Sequence, residues 1–157
     1  MAEPSLKSSV HIRPYIDDDW SAVETIYNLA KPDELQGIVP PDKIPLMAED
    51  EHKLRLFRES QVLVQVVGED IVGFCGHRGN YISWLFIHPQ YRRRGYGLEM
   101  TRTLLGRLTG KVTLNVAKQN SAAVQLYHRL GFRISNSTPS NFVGYPVDVL
   151  TMTLEIE

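Results

Sequence analysis

Cysteine is almost missing from this sequence: among 157 residues there is one, Cys75, set in an apolar run. A lone thiol excludes a disulfide framework within the chain and fits a reducing compartment. Its surroundings read as those of a small buried hydrophobe rather than a nucleophile. Long apolar runs are missing too. None approaches the ~20 residues of a membrane span, and Met1 to Ser9 is polar, without the apolar core of a signal peptide. The expected setting is therefore the cytoplasm, with no membrane partner. Nor does charge of one sign dominate. The formal net charge is −1, so no global field draws in nucleic acid, and attraction for a polyanion has to be local. No His/Cys/carboxylate cluster has metal-ligand spacing, so no metal is expected. No Ser-His-Asp or exposed Cys-His pattern offers a covalent nucleophile. Repeats, low-complexity tracts and linkers are absent, which predicts one domain over residues 1–157 with 1–9 as a flexible lead.

What is present is ordinary for a globular protein: 43% hydrophobic and 22% charged residues. Val10 to Tyr15 reads as a strand. Asp17 to Asp19 offer caps for a helix to about Lys31, with Trp20, Val23, Ile26, Tyr27 and Ala30 at helical spacing. Pro32, Pro40, Pro41 and Pro45 break the pattern up to Met47. A second helix is predicted from about Glu49 to Glu59. A β-meander follows: Gln61 to Val67, Ile71 to His77 and Tyr81 to His88, separated by glycine turns and ended by Pro89. The order then changes to helix 97–108, strand 111–117, helix 121–130 and a strand from Phe132 to Ser135. A polar loop from Asn136 to Tyr145 is expected before a last strand, Val147 to Glu157. This is an α/β pattern with a mixed sheet.

The most informative stretch joins Leu85-Phe86-Ile87-His88-Pro89 to Arg92-Arg93-Arg94-Gly95-Tyr96-Gly97. A strand feeds a basic turn with two glycines, and a helix starts there. Helix starts carry unpaired N–H groups and partial positive charge, and glycine lets a ligand approach the backbone closely. Together they suit phosphates, and three arginines add charge. Met100 stands where a dinucleotide-binding fingerprint needs a third glycine, and no Gly-Lys-Ser/Thr of a Walker loop follows. A nucleic-acid-binding role for Arg92–Arg94 is a poor alternative, because the patch is three residues long and the chain is not basic.

This stretch resembles the signature of the GNAT superfamily, the Gcn5-related N-acetyltransferases, Arg/Gln-x-x-Gly-x-Gly/Ala. A second block, Asn120-Ser121-Ala122-Ala123-Val124-Gln125-Leu126-Tyr127-His128-Arg129-Leu130-Gly131-Phe132, also falls in register with that family. The close match covers about Ile82 to Phe132. The resemblance implies a mostly antiparallel mixed sheet, splayed into a V at the cofactor slot and flanked by about four helices. It implies acetyl-CoA as cosubstrate. The arm of CoA would pair with the strand edge at Leu85, Phe86 and Ile87. The pyrophosphate would sit on the amides of Arg92, Arg93, Arg94, Gly95, Tyr96 and Gly97, and Asn120 would bond the arm from across the slot. Tyr127, two helical turns after Asn120, would protonate the leaving thiolate.

The chain departs from the family where some members carry a Glu base. Those positions hold Tyr81, with Ser83 beyond it, and Asn115. A water chain through these three, or a histidine (His77 or His88), replaces a direct carboxylate in this reading. The implied function is direct acetyl transfer to a primary amine of a small molecule or a peptide terminus. The alternative is a non-catalytic acyl-CoA-binding module of the same fold. A homodimer stays open. The acceptor is expected between the Pro32–Asp50 segment and the 136–145 loop. Asp33, Glu34, Asp42, Glu49 and Asp50 would form an acidic rim, with Trp84 and Tyr145 as walls.

Overall fold

β-Branched and aromatic residues concentrate between residues 61 and 87, and there the sheet is continuous. The computed structural model describes residues 9–157, so the expectation for the first residues lies, Ser9 apart, outside the described residues. Strands β1 (Val10–Pro14), β2 (Gln61–Val67), β3 (Asp70–Arg78) and β4 (Tyr81–Ile87) pair antiparallel in that order. Strand β5 (Gly110–Ala117) runs parallel to β4, and β7 (Tyr145–Ile156) antiparallel to β5. Strand β6 (Arg133–Phe142) closes the far edge, giving the order β1-β2-β3-β4-β5-β7-β6.

Four α-helices cover the two faces among the described residues: α1 (Trp20–Glu34), α2 (Glu51–Glu59), α3 (Tyr96–Leu105) and α4 (Ser121–Arg129). Alternation along each strand divides the core. Val64, Phe74, Trp84 and Phe86 pack with Val23, Ile26 and Tyr27 of α1 and Phe57 of α2. Leu63, Cys75, Ile82, Leu114 and Met152 pack with Met100 and Leu104 of α3 and Tyr127 of α4. Phe57, Phe74, Trp84 and Phe86 are linked through ring contacts of 5.5–6.2 Å. Cys75 is 1% exposed, and burial pushes its thiol up to about 12.

Strand β4 carries the irregularity that matters. Gly76 pairs with Trp84 but His77 with Ile82, so Ser83 is an extra residue. The bulge moves Ile82 onto the α3/α4 face while Trp84 and Phe86 face α1 and α2. Strand β4 meets β5 only at Tyr81–Thr113 and Ile82–Leu114. Beyond Ile82 the two strands diverge, and the edge of β4 from Ser83 to Ile87 has no strand partner on that side among the described residues.

Three expectations need correction. Helix α1 continues through Pro32 to Glu34, because a proline in the last turn loses only one ladder bond and its own carbonyl still accepts from Leu35 N at 3.2 Å. Helix α3 stops at Leu105 rather than Leu108; Gly106 weakens it, and two tighter bonds, Arg107 N to Leu104 O and Leu108 N to Leu105 O, turn the chain. The expected 136–145 loop is mostly strand β6, paired with β7 down to Phe142–Tyr145. Its residues are polar because it is an exposed edge, and Pro139 is tolerated there. A two-residue turn, Val143 (φ +44°) and Gly144 (φ +89°), joins it to β7.

Candidate active site

The β4–α3 connection gathers free backbone amides and arginines at a helix start. Pro89–Tyr91 forms one short helical turn, with His88 Nδ1 accepting from Gln90 N at 3.1 Å. Arg93 (φ +64°) and Gly95 (φ +84°) then take left-handed conformations two residues apart, an unusual posture for an arginine that tends to occur at ligand sites. Helix α3 begins at once, and its first ladder bond is Glu99 N to Gly95 O at 3.0 Å. The amides of Tyr96, Gly97 and Leu98 precede that ladder. The arginine side chains are exposed but not idle. Arg92 pairs with Asp33 at the end of α1; Arg94 donates to Gln90 O and lies 5.0 Å from the Tyr91 ring.

The divergence of β4 and β5 opens a cleft of about 800 Å³. Leu85 and Phe86 line it from β4, Asn115 and Val116 from β5, Asn120 and Tyr127 from the start and end of α4. Ile87 packs instead into the core beside α3. Asn120 caps α4, its Oδ1 accepting from Ala123 N at 3.4 Å, which leaves its Nδ2 hydrogens for a ligand. Tyr127 is 7% exposed, its ring edge-on to Phe132 at 5.7 Å. Burial, reinforced by Glu34, raises its pKa far above the ordinary phenol. The hydroxyl is protonated, as any phenol is near neutrality, and Tyr127 lines the cleft where a donor could reach a ligand.

Tyr81, Ser83 and Asn115 all line the same cleft. Asn115 Oδ1 accepts from Thr151 at 2.8 Å, and Ser83 shares a 2.9 Å bond with Ser60. The two histidines serve the backbone: His77 Nδ1 lies 2.9 Å from Gly79 O, and neither residue lines the cleft.

The half of the cleft between α1, α2 and β6 brings together what the sequence keeps apart. Of the expected acidic rim, Glu34 and Asp50 line the cleft, joined by Lys31 and Lys53. Asp33, one residue before Glu34, points instead to Arg92; Asp42 and Glu49 are not on the lining. Strand β6 contributes Thr138, Ser140, Asn141 and Phe142. Trp84 lines the cleft, whereas Tyr145 packs into a small cluster around Leu35, Val39 and Val147. That Lys31 and Lys53 line the cleft was not legible, since on a helix a lysine reads as a solvated face.

A bulged strand splayed from its parallel neighbour, with a helix-start cradle at one end and a buried tyrosine at the slot, defines the class: an acetyltransferase fold of the GNAT kind. The comparisons agree. The model of the acetyltransferase (GNAT) domain matches residues 44–156, and the chain belongs to that family. Acetyltransferase SG1711 of Sodalis glossinidius is 30% identical over 136 residues, 82% of this chain and 90% of that protein. A GCN5-related N-acetyltransferase structure from Rhodopseudomonas palustris superposes with a TM-score of 0.80 at 19% identity, over 96% of this chain and 98% of that one. The putative acetyltransferase yncA of Salmonella typhimurium, solved with its cofactor acetyl-CoA, gives 0.71 at 20% identity over 96% and 95%. No helix among the described residues is long and apolar enough to cross a membrane.

Proposed function

We propose that this chain is an acetyl-CoA-dependent N-acetyltransferase acting on a primary amine of a small molecule or a peptide terminus. The pyrophosphate rests on the turn from Arg92 to Gly97, and the arm of CoA pairs with the open edge of β4 at Leu85, Phe86 and Ile87. Asn120 donates to that arm. The acceptor enters between the end of α1, the start of α2 and β6. Its nitrogen attacks the thioester carbonyl, a C–N bond forms, and the C–S bond breaks. Tyr127 protonates the departing sulfur. The proton lost from nitrogen leaves through water held by Tyr81, Ser83 and Asn115, and balances the one Tyr127 gave.

The observation that carries this reading is the place of Tyr127: a phenol lining the slot between β4 and β5, together with Asn120 and the open edge of β4. The test is thiol release from acetyl-CoA over a panel of amines. Tyr127→Phe should lower kcat by ~10²–10⁴-fold with little change in acetyl-CoA affinity. An unchanged rate, with chemistry shown to be limiting, would reduce Tyr127 to a packing residue. Acetyl-CoA binding without thiol release for any amine would make the chain a non-catalytic acyl-CoA-binding module.

A further inference from the structure

We propose that the acceptor carries a carboxylate close to its amine, as a free amino acid does, and that the Lys53 ammonium binds that carboxylate. The inference rests on the transferase reading above and narrows its substrate.

Four formal charges line the acceptor half of the cleft, and three are already engaged. Lys31 Nζ bonds Glu34 Oε2 at 2.9 Å. Asp50 Oδ1 caps α2 by accepting from the backbone N of Lys53 at 3.1 Å. Lys53 Nζ has no carboxylate within 4.0 Å among the described residues. It lies instead 5.9 Å from the centre of the Trp84 ring, half-buried in the wall. Burial, and then neighbouring Lys31, lower its pKa, opposed more weakly by the fields of Glu34 and Asp50, so a directly bonded anion would relieve the burial of the ammonium.

This arrangement selects among amines. A simple alkylamine arrives as a cation, and the two anions it could meet, Glu34 and Asp50, are already bonded to Lys31 and to the start of α2. An amino acid brings its own carboxylate, and one unpaired lysine matches one negative charge. Trp84, Phe86, Phe142 and Leu56 give its side chain an apolar wall. Trp84 and Leu85 are adjacent in β4, a step of ~3.3 Å along the strand. Lys53, Trp84 and Leu85 all line one cleft, so a carboxylate held by Lys53 shares that cleft with the strand edge where the thioester is proposed to lie.

The experiment compares free amino acids with their carboxamides as acceptors, by thiol release with saturating acetyl-CoA. Wild-type protein should prefer the acids by about 10- to 100-fold in kcat/KM, the scale of one charge-assisted hydrogen bond. In Lys53→Met that preference should collapse toward one, chiefly through KM, and Lys53→Arg should restore part of it. Carboxamides used as well as acids by the wild type would overturn the inference without involving any variant. So would an undiminished preference in Lys53→Met. Thiol release from no amine at all, acid or amide, would remove the transferase reading and this inference with it, a result readily told from equal rates.

Discussion

Replacing Gly97 separates a ligand-binding glycine from a structural one. Gly97 is the second residue of α3, and a Cβ built there meets Leu126 Cδ2 at 3.5 Å and Ile87 Cγ1 at 4.0 Å, ordinary contacts. Gly95 offers no such clean test, because its φ of +84° strains any side chain by ~1–2 kcal/mol. At position 97 valine is, if anything, a better helix former than glycine by roughly 0.4 kcal/mol, so the melting temperature should hardly move. The expected damage falls on the ligand. The isopropyl group would add bulk in the first turn of α3, beside the amides where the pyrophosphate is proposed to rest. Each charge-assisted bond lost there is worth about 1.5–3 kcal/mol, or roughly 10- to 100-fold in Kd. Calorimetric titration of Gly97→Val with CoA and acetyl-CoA measures it, and Gly97→Ala, which the signature allows, should bind nearly as the wild type does. Wild-type affinity in Gly97→Val would refute the cradle.

Two further substitutions probe the scaffold. Asp19, 4% exposed, takes bonds of 2.8 and 2.9 Å from Arg13 and one of 2.9 Å from Ile16 N; Asp19→Asn should cost about 1.5–3 kcal/mol by urea unfolding. The Arg13 hydrogen bonds hold the Asp19 carboxyl below its ordinary range. Its contribution is thus present above the unfolded-state pKa near ~3.9 and is lost as pH falls below that value. The gap between wild type and Asp19→Asn should therefore narrow in acid; a gap that widens instead would contradict the pairing. Val143 is a β-branched residue at φ +44° in the β6–β7 turn, and Asn is favoured there. Val143→Asn should stabilise the fold by ~1 kcal/mol, and a lower urea midpoint would show that the turn is not of this type.

Much of the geometry around the β4–α3 turn and α4 was legible because its signals are local. A strand, a glycine turn and a helix start lie within residues 81–97, and α4 carries Asn120 and Tyr127 two turns apart on one face. The helical period alone brings those two to the same slot. The other half of the cleft, between α1, α2 and β6, was not legible in the same way. Asp33 and Glu34 are neighbours in sequence, yet one meets Arg92 and the other Lys31, because α1 continues past Pro32 and its rotation of about 100° per residue separates them. Lys53 reads as a surface lysine until α2 is laid beside Trp84. Strand β6 has no apolar alternation to announce it, and only pairing with β7 makes it a wall of the cleft. The bulge at Ser83 is likewise visible only in the register against β3. Sequence by itself determined the elements whose residues repeat at a local period, together with the turn chemistry between them. Tertiary structure alone decided which charges share the cleft, because that depends on how helices rotate and strands register across the fold, contacts for which no local period exists.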